Sequence, residues 1–416
     1  MAQQVHIIGA GLSGLAAAVR LAGRGLKVHV HEAAGQAGGR CRSYHDPALD
    51  MVIDNGNHLL LSGNHAALDF LRVVGAENML SGPDHARFPF CDLASGARWT
   101  IAISDGRLPW WIFDPARRVP GTRARDYLAL ARLLWPPAEA AIGEVVDCRG
   151  PLYERLVRPL MLAALNTEPR DSSAALASAI LRGTLLEGGA ACRPLIAHAG
   201  LGAAFVDPAL AFLRRHGADI RFGRRLRAID YEAGRAVVLR FGDEDVGLGT
   251  DAAAIVAVPP VVAAALVPDL SVPTEFRAIV NAHFKVTPPA GVAPITGVVN
   301  GTTEWLFAFD DRLSVTVSGA DRLLDVAREE LAQSIWREVA RVAGLPEGGA
   351  LPPWQIVRER RATFAALPSE NRKRPPASSR WANLFLAGDW TATGLPATIE
   401  GSIRSGFRAA ELVATA

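Results

Sequence analysis

Three glycines at positions 9, 11 and 14, an acid at 32, a Gly-Gly-Arg at 38–40 and a Gly-Asp at 388–389 are residues whose types and spacing could do chemistry. The first three fit G-x-G-x-x-G. In that pattern Gly9 allows a tight turn, Gly11 lets the backbone approach a pyrophosphate, and Gly14 lets a helix pack closely on a strand. The helix start that follows offers free N–H groups and a positive dipole end to phosphates. Glu32, 23 residues after Gly9, is placed to accept from ribose hydroxyls. This combination predicts a dinucleotide site; the plainer alternative is a glycine-rich turn in an ordinary α/β domain.

Gly38-Gly39-Arg40 adds two flexible backbone positions and a side chain that can pair with phosphate in a bidentate way. Asp54-Asn55-Gly56-Asn57-His58 stands just before Leu59-Leu60-Leu61. It either joins the same site or is a polar turn between two strands. Near the other end, Gly388 allows close approach of a cofactor and Asp389 can bond its hydroxyls. The helix that begins after Pro396 aims its N–H groups at whatever sits above it.

The elements that must position these residues follow from the apolar pattern. Val5 to Ile8 reads as a buried strand, Leu12 to Ala22 as a helix, and Leu26 to Val30 as a second strand. The spacing predicts one amphipathic helix over 65–80, short strands over 81–104, and apolar helices over 150–187 broken at Asn166-Thr167-Glu168-Pro169. Those helices could line an apolar cavity or simply be core. Phe205 to Arg214 reads as a helix ended by His216-Gly217. Strands are expected at 219–222, 226–231, 236–241, 255–258, around 295–318 and at 384–387. A long helix is expected over 321–343, with Leu324, Ala327, Leu331, Ile335 and Val339 on its buried face. The domains are therefore interleaved: residues 1–80, 188–260 and 381–416 form a nucleotide-binding part, and 81–187 with 261–380 form a substrate part.

Composition narrows the class. The 416 residues are enough for two or three domains and are 50% hydrophobic, with a net charge of +2. That charge argues against a general nucleic-acid binder. Four scattered cysteines without a C-x-x-C pair read as reduced thiols, not a zinc site or a disulfide framework. No metal site is expected. No run of eighteen uncharged apolar residues occurs, and the chain enters its first strand without a charged leader. The expected place is the cytoplasm. The stretch 105–137 qualifies this. Trp110, Trp111, Phe113 and Trp135 stand among six arginines and three aspartates. Such a mixture suits the inner face of a membrane, or is a helix pair with a solvated arginine face.

Taken together, the opening glycines with Glu32, Gly38-Gly39-Arg40, Gly388-Asp389 and Thr398-Ile399-Glu400-Gly401 resemble the FAD-dependent amine oxidase and carotenoid desaturase superfamily. The Asp54 to Leu61 segment and Pro159 to Pro169 resemble, more narrowly, the squalene-associated FAD-dependent desaturases, the hydroxysqualene dehydroxylases of bacterial squalene and hopanoid synthesis. The resemblance implies a Rossmann-like FAD domain interleaved with a mixed-sheet and helical substrate domain. It also implies a flavin oxidoreductase acting on a hydrophobic isoprenoid, with a separate electron donor to reload the flavin. Gly9, Gly11, Leu12, Ser13 and Gly14 would hold the pyrophosphate, and Glu32 with Ala33 the adenosine ribose. Gly39 and Arg40 would contact phosphates. Gly56 and Asn57 would lie near the flavin, and the Leu226 backbone near adenine. Gly388 and Asp389 would meet the pyrophosphate and ribityl chain. Thr398 and Ile399 would face the pyrimidine edge. His58 is the candidate proton donor; Asp54 and Glu400 read as structural. No cysteine stands near Gly388, so FAD is expected to be non-covalent. No lysine lies between 286 and 372, which weighs against an amine oxidase. That activity and a carotenoid-type desaturase remain the alternatives.

Overall fold

The computed structural model describes residues 2–242, 244–346 and 348–415. A five-stranded parallel sheet draws its strands from four distant stretches of chain. In spatial order they are Leu384–Leu386, Ala252–Val256, Gln4–Ile8, Lys27–His31 and Asp219–Arg221. The register sets Ile8 against both Val256 and His31, and Val256 against Leu386. The strand ends therefore line up, and Gly9, Glu32, Ala257 and Ala387 emerge along one edge. In open parallel sheets that edge is where ligands bind. Val5, Ile7, Val28, Val30, Ala253 and Ile255 are all buried, as expected for a sheet covered on both faces.

A second sheet has seven strands, in the order Trp354–Phe364, Phe276–Lys285, Arg312–Val317, Trp305–Ala308, Ile295–Val299, Arg87–Asp92 and Arg98–Ala102. Strand alternation gives it two apolar faces. One face carries Val280, Ala282, Phe284, Leu313 and Val315 against Ile335, Trp336 and Val339 of the Arg328–Ala343 helix. The other carries Phe88, Phe90, Trp99, Trp305 and Phe307 in one cluster with Leu156, Met161 and Leu176 from the helical segments. Those helices are therefore largely core. Leu160, Ile180 and Leu181 stay half-buried on its margin, and Leu185 and Leu186 are exposed. The fold is α/β, with the two sheets built from interleaved stretches of chain.

Several elements differ from expectation. The helix after Asn64 ends at Val74, not at 80. Gly75 takes φ +79°, a left-handed stop that a side chain resists, and Glu77–Met79 is a separate turn. The long helix begins at Arg328, not 321. Ala327 is extended, and Glu329 and Glu330 occupy the first turn, where acids favour a helix start. Leu324 and Ala327 lie outside the helix. The strand expected to reach Val258 stops at Val256, and Pro260, tolerated at a first helical position, opens the helix Pro260–Leu266. Leu226 precedes its strand, which runs Ala228–Glu232. The long strands Phe276–Lys285 and Trp354–Phe364 were not anticipated.

The tryptophan pair separates. Trp110 is 64% exposed, whereas Trp111 is 5% exposed and packs edge-on against Tyr127 at 5.2 Å. Trp111 is core and is not available to a membrane. All four cysteines are buried and unpaired.

Candidate flavin-binding site

The turn at Gly9 is tight for a steric reason. Gly9 has φ +109°, and a Cβ there would come within 2.4 Å of the Ala257 carbonyl oxygen. A Cβ on Gly14 would lie 1.9 Å from the Gly9 oxygen. The Leu12–Ala22 helix can therefore sit on the strand end only if position 14 is bare. At Gly11 the situation reverses: an added Cβ would meet nothing within 4 Å. Open space lies in front of Gly11, and no side chain caps the helix that starts there. Its first N–H groups are left for an anion. Gly38 donates to the Ala10 carbonyl at 2.8 Å, which lays the Gly38-Gly39 turn alongside Gly11.

Glu32 is braced. Its carboxylate accepts from the Ala10 N–H at 2.7 Å and the Ala34 N–H at 2.8 Å, so it stands fixed beside the glycine turn while Ala33 is exposed. Leu226 is buried, yet its backbone N–H and C=O make no hydrogen bond among the described residues. A free main-chain donor and acceptor can read the edge of a planar base.

Arg40 and Asp389 were expected to reach a ligand separately. The structure brings them together: Arg40 Nη2 donates to Asp389 Oδ2 at 2.7 Å, and Nη1 donates to the Ala362 carbonyl. Asp389 follows Gly388, whose N–H donates to Ser405 Oγ at 2.9 Å. Ser405 belongs to the Ile399–Thr415 helix. Thr398 Oγ1 accepts from the Gly401 N–H at 3.0 Å and so caps that helix. Gly406 of the same helix lies so close to the first helix that a Cβ would be 2.2 Å from the Ser13 oxygen. The two ends of the chain meet in this way.

The Asn55–His58 loop rests on the seven-stranded sheet. Asn281 Nδ2 donates to the Asn55 carbonyl at 3.4 Å, and the Asn57 N–H donates to Asn281 Oδ1 at 3.4 Å. Asn57 Nδ2 donates to Thr316 Oγ1 at 3.2 Å, and Asn55 Nδ2 to Glu359 Oε2 at 3.2 Å. Gly56 permits this seat, since a Cβ would sit 2.9 Å from Asn281 Nδ2. Asn57 Oδ1 is buried without a partner among the described residues, an acceptor left for a ligand donor. Asn281, Thr316 and Glu359 were missed. For Asn281 the signal was a polar residue inside a largely apolar strand; Glu359 lies in a charged run and gave none.

His58 is half-buried and makes no hydrogen bond among the described residues. Burial, then the charge of Arg40, lowers its pKa to about 4. At neutral pH it is an uncharged imidazole that can donate one N–H but holds no extra proton. Asp54 is tied to Ser43 Oγ and the Leu201 N–H at 2.9 Å. Glu400 accepts from the Ala66 and Ala67 N–H groups at 3.1 and 2.9 Å and caps the next helix. Both carboxylates serve structural ends.

Comparison with known proteins gives the family. The family model for flavin containing amine oxidoreductases matches residues 12–414. The chain is 58% identical over 417 residues to the hydroxysqualene dehydroxylase of Rhodopseudomonas palustris, covering 100% of this chain and 99% of that one. It is 57% identical over 412 residues to the enzyme of that name from Sinorhizobium fredii, covering 99% and 98%. The solved structure of cyclohexylamine oxidase from Brevibacterium oxydans shares the fold, with a TM-score of 0.72 at 16% identity over 100% of this chain and 99% of that one. The chain belongs to the flavin-containing amine oxidoreductase family and, within it, to the hydroxysqualene dehydroxylases.

Proposed function

We propose that this protein reduces hydroxysqualene to squalene with FAD held non-covalently at the strand-end edge. The observation that carries the substrate is the full-length likeness to relatives named for it. The cofactor fits the groups left open: the space before Gly11, the uncapped helix start, the free Leu226 backbone and the orphaned Asn57 oxygen. Gly9, Gly11, Leu12, Ser13 and Gly14 would hold the diphosphate, with Gly39 and Arg40 beside it. Glu32 and Ala33 would take the ribose, and Leu226 the adenine. Gly388 and Asp389 would hold the ribityl chain, Gly56 and Asn57 the ring, and Thr398 and Ile399 its pyrimidine edge. On this reading residues 1–80, 188–260 and 381–416 form the FAD part.

When bound, reduced FAD would supply the hydride that replaces the allylic hydroxyl. The protein's share is to bind the carbon chain, exclude water and help the oxygen leave. Hydroxysqualene and two-electron-reduced FAD, which carries one hydride and one proton, would give squalene, water and oxidised FAD. A C–H bond forms as the C–O bond breaks, and the proton joins the departing hydroxide. His58 supplies a hydrogen bond to that oxygen through its neutral N–H. It does not supply the proton at neutral pH, because burial keeps its ring uncharged. Leu59 and Leu61, immediately after it, belong to the margin of the large apolar cluster, which suits a hydrocarbon and keeps the reacting carbon dry.

The same reading places the protein on an anionic bilayer. No described helix is long and apolar enough to cross a membrane. Leu108, Trp110, Phe113, Leu128 and Trp135 are exposed, Trp135 to 73%, with Arg107, Arg123, Arg125 and Arg132 exposed among them. Rings at headgroup depth beside cations suit such a surface. The Trp110→Ala, Trp135→Ala double variant should co-sediment less with vesicles containing anionic lipid. Unchanged binding rules the surface out.

A further inference from the structure

Arg374 is 6% exposed. Its guanidinium donates to the Thr391 carbonyl through Nε at 2.9 Å and to the Asp389 carbonyl through Nη2 at 3.1 Å. It also donates to Thr393 Oγ1 at 2.9 Å and Asn371 Oδ1 at 3.0 Å. The Phe364 ring covers it at 4.9 Å. Every one of these acceptors is neutral. No carboxylate among the described residues forms an ion pair with it: the Asp389 side chain pairs with Arg40, and its charge only partly offsets the burial of Arg374. A buried cation without a counter-ion is costly; burial pulls this one down to about 10. Two arginines thus converge on the Asp389 turn with one carboxylate between them.

We propose that Arg374 is a positioning residue for the flavin: it holds the Asp389–Thr393 turn from beneath, and its missing counter-charge arrives with the cofactor as the negative charge of the diphosphate and of the reduced ring. The inference rests on the assignment of Asp389 and Thr398 to the flavin site. It predicts two separable effects. The fork shapes the turn and so supports affinity. The charge favours the anionic reduced ring and so raises the reduction potential.

The test uses the full chain as wild type, Arg374→Met, Arg374→Lys and Glu32→Ala, with FAD affinity read by fluorescence titration and potential by dye equilibration. Arg374→Met should bind FAD at least about tenfold more weakly and have a more negative potential. Arg374→Lys keeps the charge, so its potential should stay within about 30 mV of wild type, a tenfold change for a two-electron couple. A folded Arg374→Met protein with wild-type affinity and potential overturns the proposal. If Arg374→Met yields no folded protein, Arg374→Lys decides: a fall beyond about 30 mV overturns the proposal. Unchanged affinity in Glu32→Ala as well as Arg374→Met would instead bring down the site assignment beneath it.

Discussion

Placing a methyl group on Gly14 is expected to strip the flavin and to destabilise the empty protein as well. The new Cβ would lie 1.9 Å from the Gly9 oxygen and 3.3 Å from the Ala257 Cβ. The first obstacle is backbone, pinned where the Gly9 N–H donates to the His31 carbonyl at 2.8 Å. The helix must lift from the strand end. Overpacking of this kind costs about 1–3 kcal/mol, and the lifted helix start no longer faces the diphosphate. Gly11→Ala is the matched contrast. Its Cβ meets no protein atom within 4 Å, and position 11 already has φ −72°, which alanine adopts freely. It should leave the apo melting temperature unchanged and still weaken FAD, by filling the space the diphosphate needs. A Gly14→Ala protein that purifies yellow with a normal melt, or a Gly11→Ala protein that holds FAD as wild type does, would contradict this geometry.

Acidification from pH 6.5 to 5 should weaken the fold by on the order of 3 kcal/mol. Burial, as the largest cause, lowers His6 to about 3, His31 to about 4, His58 to about 4 and His283 to about 3. All four fall below the ordinary 6.5, so the unfolded chain binds more protons in this window. Their stabilisation is complete above pH 6.5 and drains as pH falls toward 3–4. His6 Nδ1 and His31 Nε2 lie 3.1 Å apart, so that pair counts as one site. The unfolded ring is already half protonated at pH 6.5, so each of the three sites loses about 1.6 kcal/mol across the window, or roughly 5 kcal/mol together. Glu304 opposes them. Burial raises it to about 7, so the folded protein holds its proton where the unfolded chain has lost it, and acid returns about 2 kcal/mol. Urea unfolding at both pH values, with FAD in constant excess, measures the balance. His283→Gln should remove about a third of the histidine share. Equal midpoints at pH 6.5 and 5 would refute it.

The legible part of this molecule was local. Val5 to Glu32 could be read because strand, turn, helix and second strand follow one another and because Gly9 and Gly14 each have a nearby clash to avoid. Gly388-Asp389 could be read for the same reason. What escaped the sequence depends on distant pairing. Asn281 and Thr316 meet Asn57 only because two antiparallel strands carry them to it. Arg40 finds Asp389, 349 residues away, and Arg374 gains its acceptors only when the Asp389 turn folds back over it. Trp110 and Trp111 show another limit. They share a single short turn, so no periodicity tells which faces the core. Leu324 and Ala327 keep helical spacing with Leu331 by coincidence, and the extended Ala327 ends that register.

The central claim is that this site delivers a hydride to an allylic carbon as its hydroxyl leaves. The direct measurement is one anaerobic turnover. The purified protein, its FAD confirmed by absorbance and reduced with dithionite, is mixed with hydroxysqualene. Squalene should form in step with flavin reoxidation, one molecule per flavin. Flavin that stays reduced, with no squalene formed, would contradict the substrate and the reaction while leaving the fold and the cofactor site standing.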